Sequence, residues 1–259
     1  MTAITIITGA SGGIGEALAY QFAGLGEDLL LVARSGDKLQ RVADEIVKRH
    51  SCKVDVLELD LSLLDAVGTL VSYLKENDLS VKHMVNNAGF GLNGPMRELG
   101  IEAQLNIVDL NVRVLTDLSI RFLDEIEANG GGVMNVASTV AFLATPYMGV
   151  YGASKAFVLS FTEALAEESK HRNIKVSAVC PGSTETGFGE RAQMGRSDLF
   201  DYAPLMSAEA VAEIGFNGYM RGETIVVTGT MNRLLPYMLR LTPKWLSRLV
   251  IGRLMNTEK

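Results

Sequence analysis

The chain of 259 residues is 47% hydrophobic and 21% charged, values that are ordinary for a globular protein. Its formal net charge of −6 argues against a protein whose main partner is nucleic acid, because phosphate binding needs a dominant basic surface. Two cysteines are too few for a disulfide framework, and no run approaches the roughly 18 uninterrupted apolar residues that a membrane span needs.

The first residues run directly into a strand-like segment, without the charged and apolar regions of a signal peptide. We therefore expect a cytoplasmic protein that acts on small molecules. Because the chain contains neither internal repeats nor low-complexity linkers, we expect one domain over residues 1–259.

Short apolar runs rich in β-branched residues alternate with segments that have helical apolar spacing. The runs lie at 3–8, 28–33, 54–59, 83–87, 133–137, 174–180 and 224–227. Strands that are apolar throughout, rather than at every second position, are typical of a parallel sheet with helices on both faces. The pattern predicts an α/β fold, a Rossmann-like doubly wound parallel sheet of about seven strands.

The first strand is followed by TGASGGIG (8–15) and then by a helical pattern. Glycines at Gly9, Gly13 and Gly15 let the backbone approach a pyrophosphate, whose charge the N–H groups at the helix start can face. A plain tight turn is the alternative. The position between strand and helix favours a dinucleotide loop, to which Ser11 and Ile14 also belong.

The second strand ends in LLLVARSGDK, with Arg34 at its end and no carboxylate before Asp37. In dinucleotide folds this position meets the adenosine ribose, where a carboxylate selects a 2′-hydroxyl and an arginine accommodates a 2′-phosphate. Arg34 therefore favours NADP(H) over NAD as the cofactor. The alternative is that Arg34 is a solvated cation at the strand end.

Further motifs follow in a fixed order along the chain. They are Asp60 after the third strand, NNAG (86–89), Asn111 within a helical segment, Ser138 after the fifth strand, Tyr151 and Lys155 in YGASK, and Pro181–Gly182 followed by Thr186. Together with the glycine loop, they resemble the short-chain dehydrogenase/reductase family over about residues 3–230, in its subgroup of 3-oxoacyl and hydroxysteroid reductases. The resemblance implies an oxidoreductase that transfers hydride between NADP(H) and a carbonyl or alcohol.

By that resemblance, Tyr151 is the general acid, Ser138 orients the substrate oxygen, and Asn111 holds a water in a relay to Lys155. A free phenol titrates near ~10, and Lys155, one helical turn away, is expected to lower that pKa. The resemblance also implies a second set of cofactor-binding residues. Asp60 would contact the adenine, Asn87, Ala88 and Gly89 would lie near the ribose, and Tyr151 and Lys155 also belong to the set, with Lys155 at the nicotinamide ribose. After Pro181 and Gly182, Thr186 would bind the nicotinamide carboxamide, and Thr184 is close enough to compete for that role. For Asp60 a helix cap, and for Asn87 a stabilising turn, remain alternatives.

The histidines at positions 50, 83 and 171 lack metal-ligand spacing, so we predict surface or core roles and no metal. The loops expected around the substrate are rich in apolar side chains, at Phe90, Leu92, Phe142, Leu143, Tyr147, Met148, Phe188, Met194, Leu199 and Phe200. They favour a medium or bulky apolar carbonyl compound.

Two alternative functions remain for the chain: a 3-oxoacyl thioester reductase and a non-catalytic NADP(H)-binding regulatory protein. Residues 187–207 are a candidate lid.

Residues 231–259 form a basic, amphipathic extension, with six basic residues against one glutamate. Thr242 and Pro243 resemble a helix start. This extension is expected to cap the pocket, pair between subunits, or rest on an anionic membrane surface. By analogy with the family, the helices that carry Asn111 and Tyr151 are expected to pair in a homo-oligomer.

Overall fold

A seven-stranded parallel sheet forms the centre of the computed structural model, which describes residues 1–191 and 205–255. The strands are β1 (Thr2–Thr8), β2 (Leu29–Ala33), β3 (Val54–Glu58), β4 (Leu79–Asn86), β5 (Gly132–Val136), β6 (Lys175–Cys180) and β9 (Ile225–Val227), in the order β3-β2-β1-β4-β5-β6-β9. A two-residue strand, β7 (Thr184–Glu185), pairs with β8 (Met206–Ser207) apart from this sheet. The predicted doubly wound fold is confirmed, although β4 begins at Leu79 rather than at His83.

The helices alternate with the strands along the chain. They are α1 (Gly13–Ala23), α2 (Gly36–Arg49), α3 (Ala66–Glu76), α4 (Ile101–Val108), α5 (Leu115–Arg121), α6 (Leu123–Ala128), α7 (Gly149–Glu168), α8 (Phe188–Arg191), α9 (Ala208–Met220), α10 (Thr230–Leu241) and α11 (Lys244–Met255). A π-helical turn, Asp109–Val114, joins α4 to α5. Within the described ranges, no helix combines the length and the apolar character needed to cross a membrane.

Both faces of the sheet are covered, which explains why the strands are apolar throughout. Ile6 and Ile7 are neighbours in β1 and point to opposite faces, yet neither is exposed to solvent. Ile7 packs with side chains of α1, α2 and α9, whereas Ile6 packs with side chains of α3 and α5. Of the three histidines, His83 is buried and lies 2.6 Å from the Tyr219 hydroxyl, as expected for a hydrogen-bonded core residue.

The order of the strands decides where a ligand can bind. β1 lies between β2 and β4, so the connections run to opposite sides of β1 and leave a crevice at its carboxyl end. The glycine loop follows β1 and the NNAG segment follows β4, which places both at this crevice. Ser138 and Pro181 follow β5 and β6 at the same edge of the sheet.

Candidate active site

Hydrogen bonds across the crevice fix the glycine loop against the end of β4. The Thr8 hydroxyl accepts hydrogen bonds of 3.0 Å from the backbone N–H groups of both Asn87 and Ala88 and donates to the Val85 carbonyl. The Asn87 amide in turn donates to the carbonyls of Thr8 and Gly9, at 3.0 and 3.2 Å. The Asn87 side chain therefore stabilises the glycine loop, which is the structural alternative to direct contact with the cofactor.

The glycines are needed both for their backbone conformation and for space. Gly9 and Gly13 have φ angles of 67° and 59°, in the left-handed region that side chains disfavour. A Cβ atom on Gly15 would collide with the Gly9 carbonyl and the Asn87 amide. Gly12, at the start of α1, offers no capping side chain, so the first N–H groups of that helix can face an anion. The loop fits a dinucleotide pyrophosphate.

The two threonines after Pro181–Gly182 have different surroundings. The Thr184 hydroxyl donates to the Gly182 carbonyl at 3.0 Å, within a local turn. The methyl group of Thr186 lies 2.9 Å from the position that a Cβ on Gly13 would occupy. Thr186 therefore faces the glycine loop, whereas the Thr184 hydroxyl is hydrogen-bonded within its own turn; which of the two would bind the carboxamide stays a prediction. In the loop itself, Ser11 is half-buried and Ile14 packs against the core.

Arg34 and Asp60 lie side by side at the outer end of the crevice. A guanidinium nitrogen of Arg34 is 3.7 Å from the Asp60 carboxylate, and the Arg34 side chain is 57% exposed. The other carboxylate oxygen of Asp60 accepts hydrogen bonds from the backbone and the hydroxyl of Ser62. Partial burial acts to raise the pKa of Asp60, but the Ser62 hydrogen bonds and the Arg34 charge outweigh it and lower that pKa. Asp60 thus stabilises its own turn.

Asn111 lies in the π-helical turn and is fully buried. Its amide donates hydrogen bonds of 3.0 Å to the Phe90 carbonyl and to the Ser154 hydroxyl, and its oxygen accepts from the Phe90 N–H. Ser154 donates in turn to the Tyr151 carbonyl. Asn111 therefore ties the segment after β4 to helix α7. π-helical turns of this kind are frequent at functional sites.

Tyr151 and Lys155 face the same interior from one turn of α7, and both are buried. The Lys155 ammonium donates a hydrogen bond of 2.6 Å to the Val136 carbonyl and lies 5.9 Å from the centre of the Tyr151 ring. Gly89 lies beside both polar side chains, because a Cβ at this position would be in contact with the ammonium at 3.5 Å and crowd the Asn111 oxygen at 3.0 Å. The structure thus brings Asn111 and Lys155 together beside Gly89, and Tyr151 lies against Gly91 two residues further on.

Burial dominates the protonation of this pair. It raises the pKa of Tyr151 to about 12, with a smaller opposing effect from the Ser138 hydroxyl. It also lowers the pKa of Lys155 to about 8, against a weaker effect of the Cys180 thiol. The sequence led us to expect that Lys155 lowers the pKa of the phenol. In the structure burial raises that pKa instead, and the Ser138 hydroxyl opposes the rise only in part.

Ser138 follows β5 and points toward Tyr151 and the end of β6. Its hydroxyl accepts a hydrogen bond from the Val140 N–H at 3.3 Å and donates to the Pro181 carbonyl at 3.4 Å. Both hydrogen bonds are long and therefore weak, so the Ser138 hydroxyl can donate to a substrate oxygen in place of the Pro181 carbonyl. At Gly182, the space of an absent side chain is filled by the amide of Asn232 from α10.

The described wall beside Tyr151 is apolar. Met148 and Tyr151 form a buried pair against which Val140, Tyr147, Phe188 and Ile251 pack. Tyr147 has a φ of 66°, which is uncommon for a residue with a side chain. Of the candidate lid at 187–207, residues 192–204 lie outside the described residues, and so do the predicted wall residues Met194, Leu199 and Phe200.

Helices α10 and α11 pack over this wall with one side. Ile251 contacts the Met148–Tyr151 pair, and Pro146 lies 3.5 Å from the position of a Cβ on Gly252. α11 begins at Lys244, directly after the predicted start at Thr242 and Pro243. These contacts place part of α11 beside Tyr151, and the three expected roles of the extension stay predictions.

Three residues that position the site were missing from the sequence-based set. Thr8 clamps the loop, Ser154 holds Asn111, and Asn232 fills the space at Gly182. Thr8 and Ser154 lie inside the motifs TGASGGIG and YGASK, so their position next to other predicted site residues is a signal that could have identified them. Asn232 gave no signal, because only the packing of α10 shows what it contacts.

A glycine loop at the switch point and a buried tyrosine–lysine pair beside it define an oxidoreductase that binds a nicotinamide dinucleotide. The family model described as short chain dehydrogenase matches residues 3–196. The chain therefore belongs to the short-chain dehydrogenase family, and the predicted resemblance is confirmed.

Two relatives and one solved structure illustrate the similarity. Sulfoacetaldehyde reductase 2 of Chromohalobacter salexigens is 34% identical, over 83% of this chain and 88% of the relative. The 11-beta-hydroxysteroid dehydrogenase-like 4A protein of Arabidopsis thaliana is 32% identical, over 94% and 82% of the two chains. A short-chain dehydrogenase from Sphingobium yanoikuyae, solved in complex with NADPH, is 26% identical with a TM-score of 0.82, covering 100% and 98% of the chains.

Two helical glycines allow a matched test of the loop. Gly15 and Gly68 are both third residues of helices, but a Cβ would collide with Gly9 and Asn87 at Gly15 and meets nothing within 4 Å at Gly68. We predict that Gly15→Ala weakens NADPH binding at least about tenfold and lowers the free energy of unfolding by about 1–3 kcal/mol. Gly68→Ala should raise that free energy by about 0.5–1 kcal/mol without changing binding. Calorimetric titration and denaturant unfolding measure both, and equal behaviour of the two variants would contradict the account.

Proposed function

We propose that the protein is an NADPH-dependent reductase that transfers hydride to an apolar carbonyl compound, with Tyr151 as general acid. The observation that carries the proposal is the convergence of Ser138, Tyr151, Lys155 and Asn111 at the crevice beside the glycine loop. A protein that only binds NADP(H) needs the loop but not a buried phenol next to a serine hydroxyl. This difference favours the enzyme over the regulatory alternative.

When bound, the reduced nicotinamide supplies the hydride for the carbonyl carbon. Ser138 and Tyr151 then hold the carbonyl oxygen by hydrogen bonds, in a site from which the apolar wall excludes water. Because burial raises the pKa of Tyr151 to about 12, the phenol is protonated at neutral pH and can protonate a developing alkoxide, which is more basic still.

Lys155 supports the phenolate that this proton transfer leaves behind. With a pKa lowered to about 8, the lysine can give up and regain a proton near neutral pH. Its hydrogen bond to the Val136 carbonyl fixes the ammonium next to Tyr151. Asn111 keeps the segment after β4 in register with α7, and we assign it the role of holding a water on the path from Lys155 to solvent.

Arg34 supports NADP(H) as the cofactor. Its exposed side chain is paired only loosely with Asp60, at 3.7 Å, so it can turn toward a 2′-phosphate at little cost. An arginine binds a phosphate more strongly than an exposed carboxylate, because both groups accept two parallel hydrogen bonds but the phosphate carries more charge. The NADPH complex of the Sphingobium yanoikuyae structure agrees with this choice.

The apolar wall supports a medium or bulky substrate. Met148, Tyr147, Phe188 and Ile251 surround the phenol with carbon surface and bring no cation to it. The hydroxysteroid dehydrogenase-like relative agrees with such a substrate. The name of the sulfoacetaldehyde reductase points instead to a small anionic aldehyde, which would need a cation that the described part of this wall does not contain.

We also propose a homo-oligomer that pairs the α4–α7 face. Leu105, Val108 and Phe157 are 40–48% exposed there. They adjoin an apolar hollow of about 450 Å³ that is lined by Met96, Val108, Val112, Gly149, Val150, Ala153 and Ser154. Exposed apolar surface of this extent marks interaction sites. The cytoplasmic location and the single domain over residues 1–259 stay predictions.

The tyrosine test separates chemistry from binding. In Tyr151→Phe the ring stays and only the hydroxyl is lost, so kcat for carbonyl reduction should fall about 10²- to 10⁴-fold while NADPH still binds. In Tyr147→Phe a neighbouring hydroxyl is lost, and kcat should stay within a few-fold. The decrease in NADPH absorbance with a panel of ketones and aldehydes measures both. Full activity of Tyr151→Phe on the best substrate would show that another group is the acid.

The cofactor test uses two exposed arginines. Arg34→Asp should lower the ratio of kcat/KM with NADPH to that with NADH about 10- to 100-fold, because a charge-assisted bond to the 2′-phosphate is replaced by repulsion. Arg49→Asp, at a comparably exposed residue near the end of α2, should leave the ratio unchanged. If the ratio is unchanged in Arg34→Asp, Arg34 does not bind the 2′-phosphate and the assignment is wrong.

The subunit test compares two exposed valines. Val108 is 40% exposed on the α4–α7 face, and Val47 is 53% exposed on α2. We predict that Val108→Glu reduces the mass measured by analytical ultracentrifugation to that of a monomer, because a carboxylate would be buried in the interface. Val47→Glu should keep the oligomer. A wild-type protein that is already monomeric would refute the pairing.

A further inference from the structure

The C-terminal helices have an apolar side that no described part of the chain covers. We define the tail face by eight residues that are between 37% and 88% exposed: Leu234, Tyr237, Met238, Leu241, Trp245, Leu246, Leu249 and Val250. Their spacing of three and four residues places them along one side of α10 and one side of α11. Large apolar side chains in such a row are unusual on a surface that meets only water.

The opposite side of the two helices is docked on the catalytic domain. Asn232 of α10 fills the space at Gly182, while Ile251 of α11 packs against Met148 and Tyr151. The two helices are therefore held in place by one side. The tail face is the remaining side, next to the wall that surrounds Tyr151.

Charge distinguishes the tail face from the rest of the molecule. Residues 231–255 contain Arg233, Arg240, Lys244, Arg248 and Arg253 and no acidic residue, although the whole chain has a formal net charge of −6. Arg233, Lys244, Arg248 and Arg253 are exposed. Exposed apolar and aromatic side chains flanked by basic ones are the composition of helices that lie in the headgroup region of anionic bilayers.

We propose that the tail face binds an anionic lipid surface, with α10 and α11 lying in the plane of the headgroups. A second copy of the chain fits this face less well, because symmetric pairing would bring two sets of five basic residues together with no acidic residue in either set. The contact is peripheral, since none of the described helices can cross a membrane. If the proposed function holds, the pocket then opens beside a source of apolar carbonyl compounds.

The position of the single tryptophan gives a direct measurement. Trp245 lies on the tail face and is 62% exposed, so its fluorescence reports on this surface alone. We expect a blue shift of roughly 5–15 nm when the full chain is titrated with phosphatidylglycerol vesicles, as the indole leaves water for the interface. Phosphatidylcholine vesicles should give little or no shift. No shift with either vesicle, or equal shifts with both, would overturn the proposal.

Two leucines provide a matched pair of variants. Leu241 is 88% exposed on the tail face, and Leu64 is 86% exposed in the loop before α3. Leu241→Glu should weaken co-sedimentation with anionic vesicles about tenfold or more, whereas Leu64→Glu should leave it unchanged. Both variants should keep wild-type NADPH binding, which shows that they fold.

The alternative occupant has its own signature. If a second copy covers the tail face, Trp245 fluorescence shifts with protein concentration in the absence of lipid, and Leu241→Glu abolishes that shift. This result would overturn the proposal. The test does not depend on the reaction, because binding to vesicles is measured without substrate.

Discussion

The site depends first on the hydrogen bonds that join the ends of β1 and β4. Thr8 and Asn87 exchange side-chain and backbone bonds across the switch point, and they fix the glycine loop relative to the segment that contains Gly89. Gly89 in turn faces both Asn111 and Lys155. The hydrogen bonds of Thr8 and Asn87 therefore position both the glycine loop and the segment beside Lys155, so we expect a change at the loop to affect the proposed reaction as well.

Burial is the second constraint, because it shifts the pKa values of the two groups to which we assign the proton transfer. Tyr151 and Lys155 are both removed from water, and each is shifted toward its neutral form. A neutral phenol is the form that a general acid needs for reduction. The same desolvation makes a phenolate costly in the free protein, so in the proposed mechanism Lys155 supports its formation during proton transfer. The apolar wall and the docked side of α10 and α11 maintain this dry environment.

Much of the fold and of the site could be predicted from the sequence because local patterns encode them. The strands are buried on both faces, so their apolar runs are visible directly, and glycines such as Gly15 are required wherever backbone approaches backbone. What the sequence could not give depends on neighbours in space. The direction of the Tyr151 pKa shift follows from burial, the roles of Ser154 and Asn232 follow from packing, and the position of Thr186 beside the glycine loop follows from the path of the chain after β6.

The central claim is that the residues around Tyr151 carry out hydride transfer and do not merely hold a dinucleotide. Reduction of a panel of apolar ketones and aldehydes with NADPH that carries deuterium on the transferable C4 position, followed by mass spectrometry of the alcohols, tests it most directly. The account predicts one deuterium on the carbinol carbon of the product, in the wild-type protein and in Tyr147→Phe. Tight NADPH binding without deuterated alcohol from any carbonyl of the panel would contradict it.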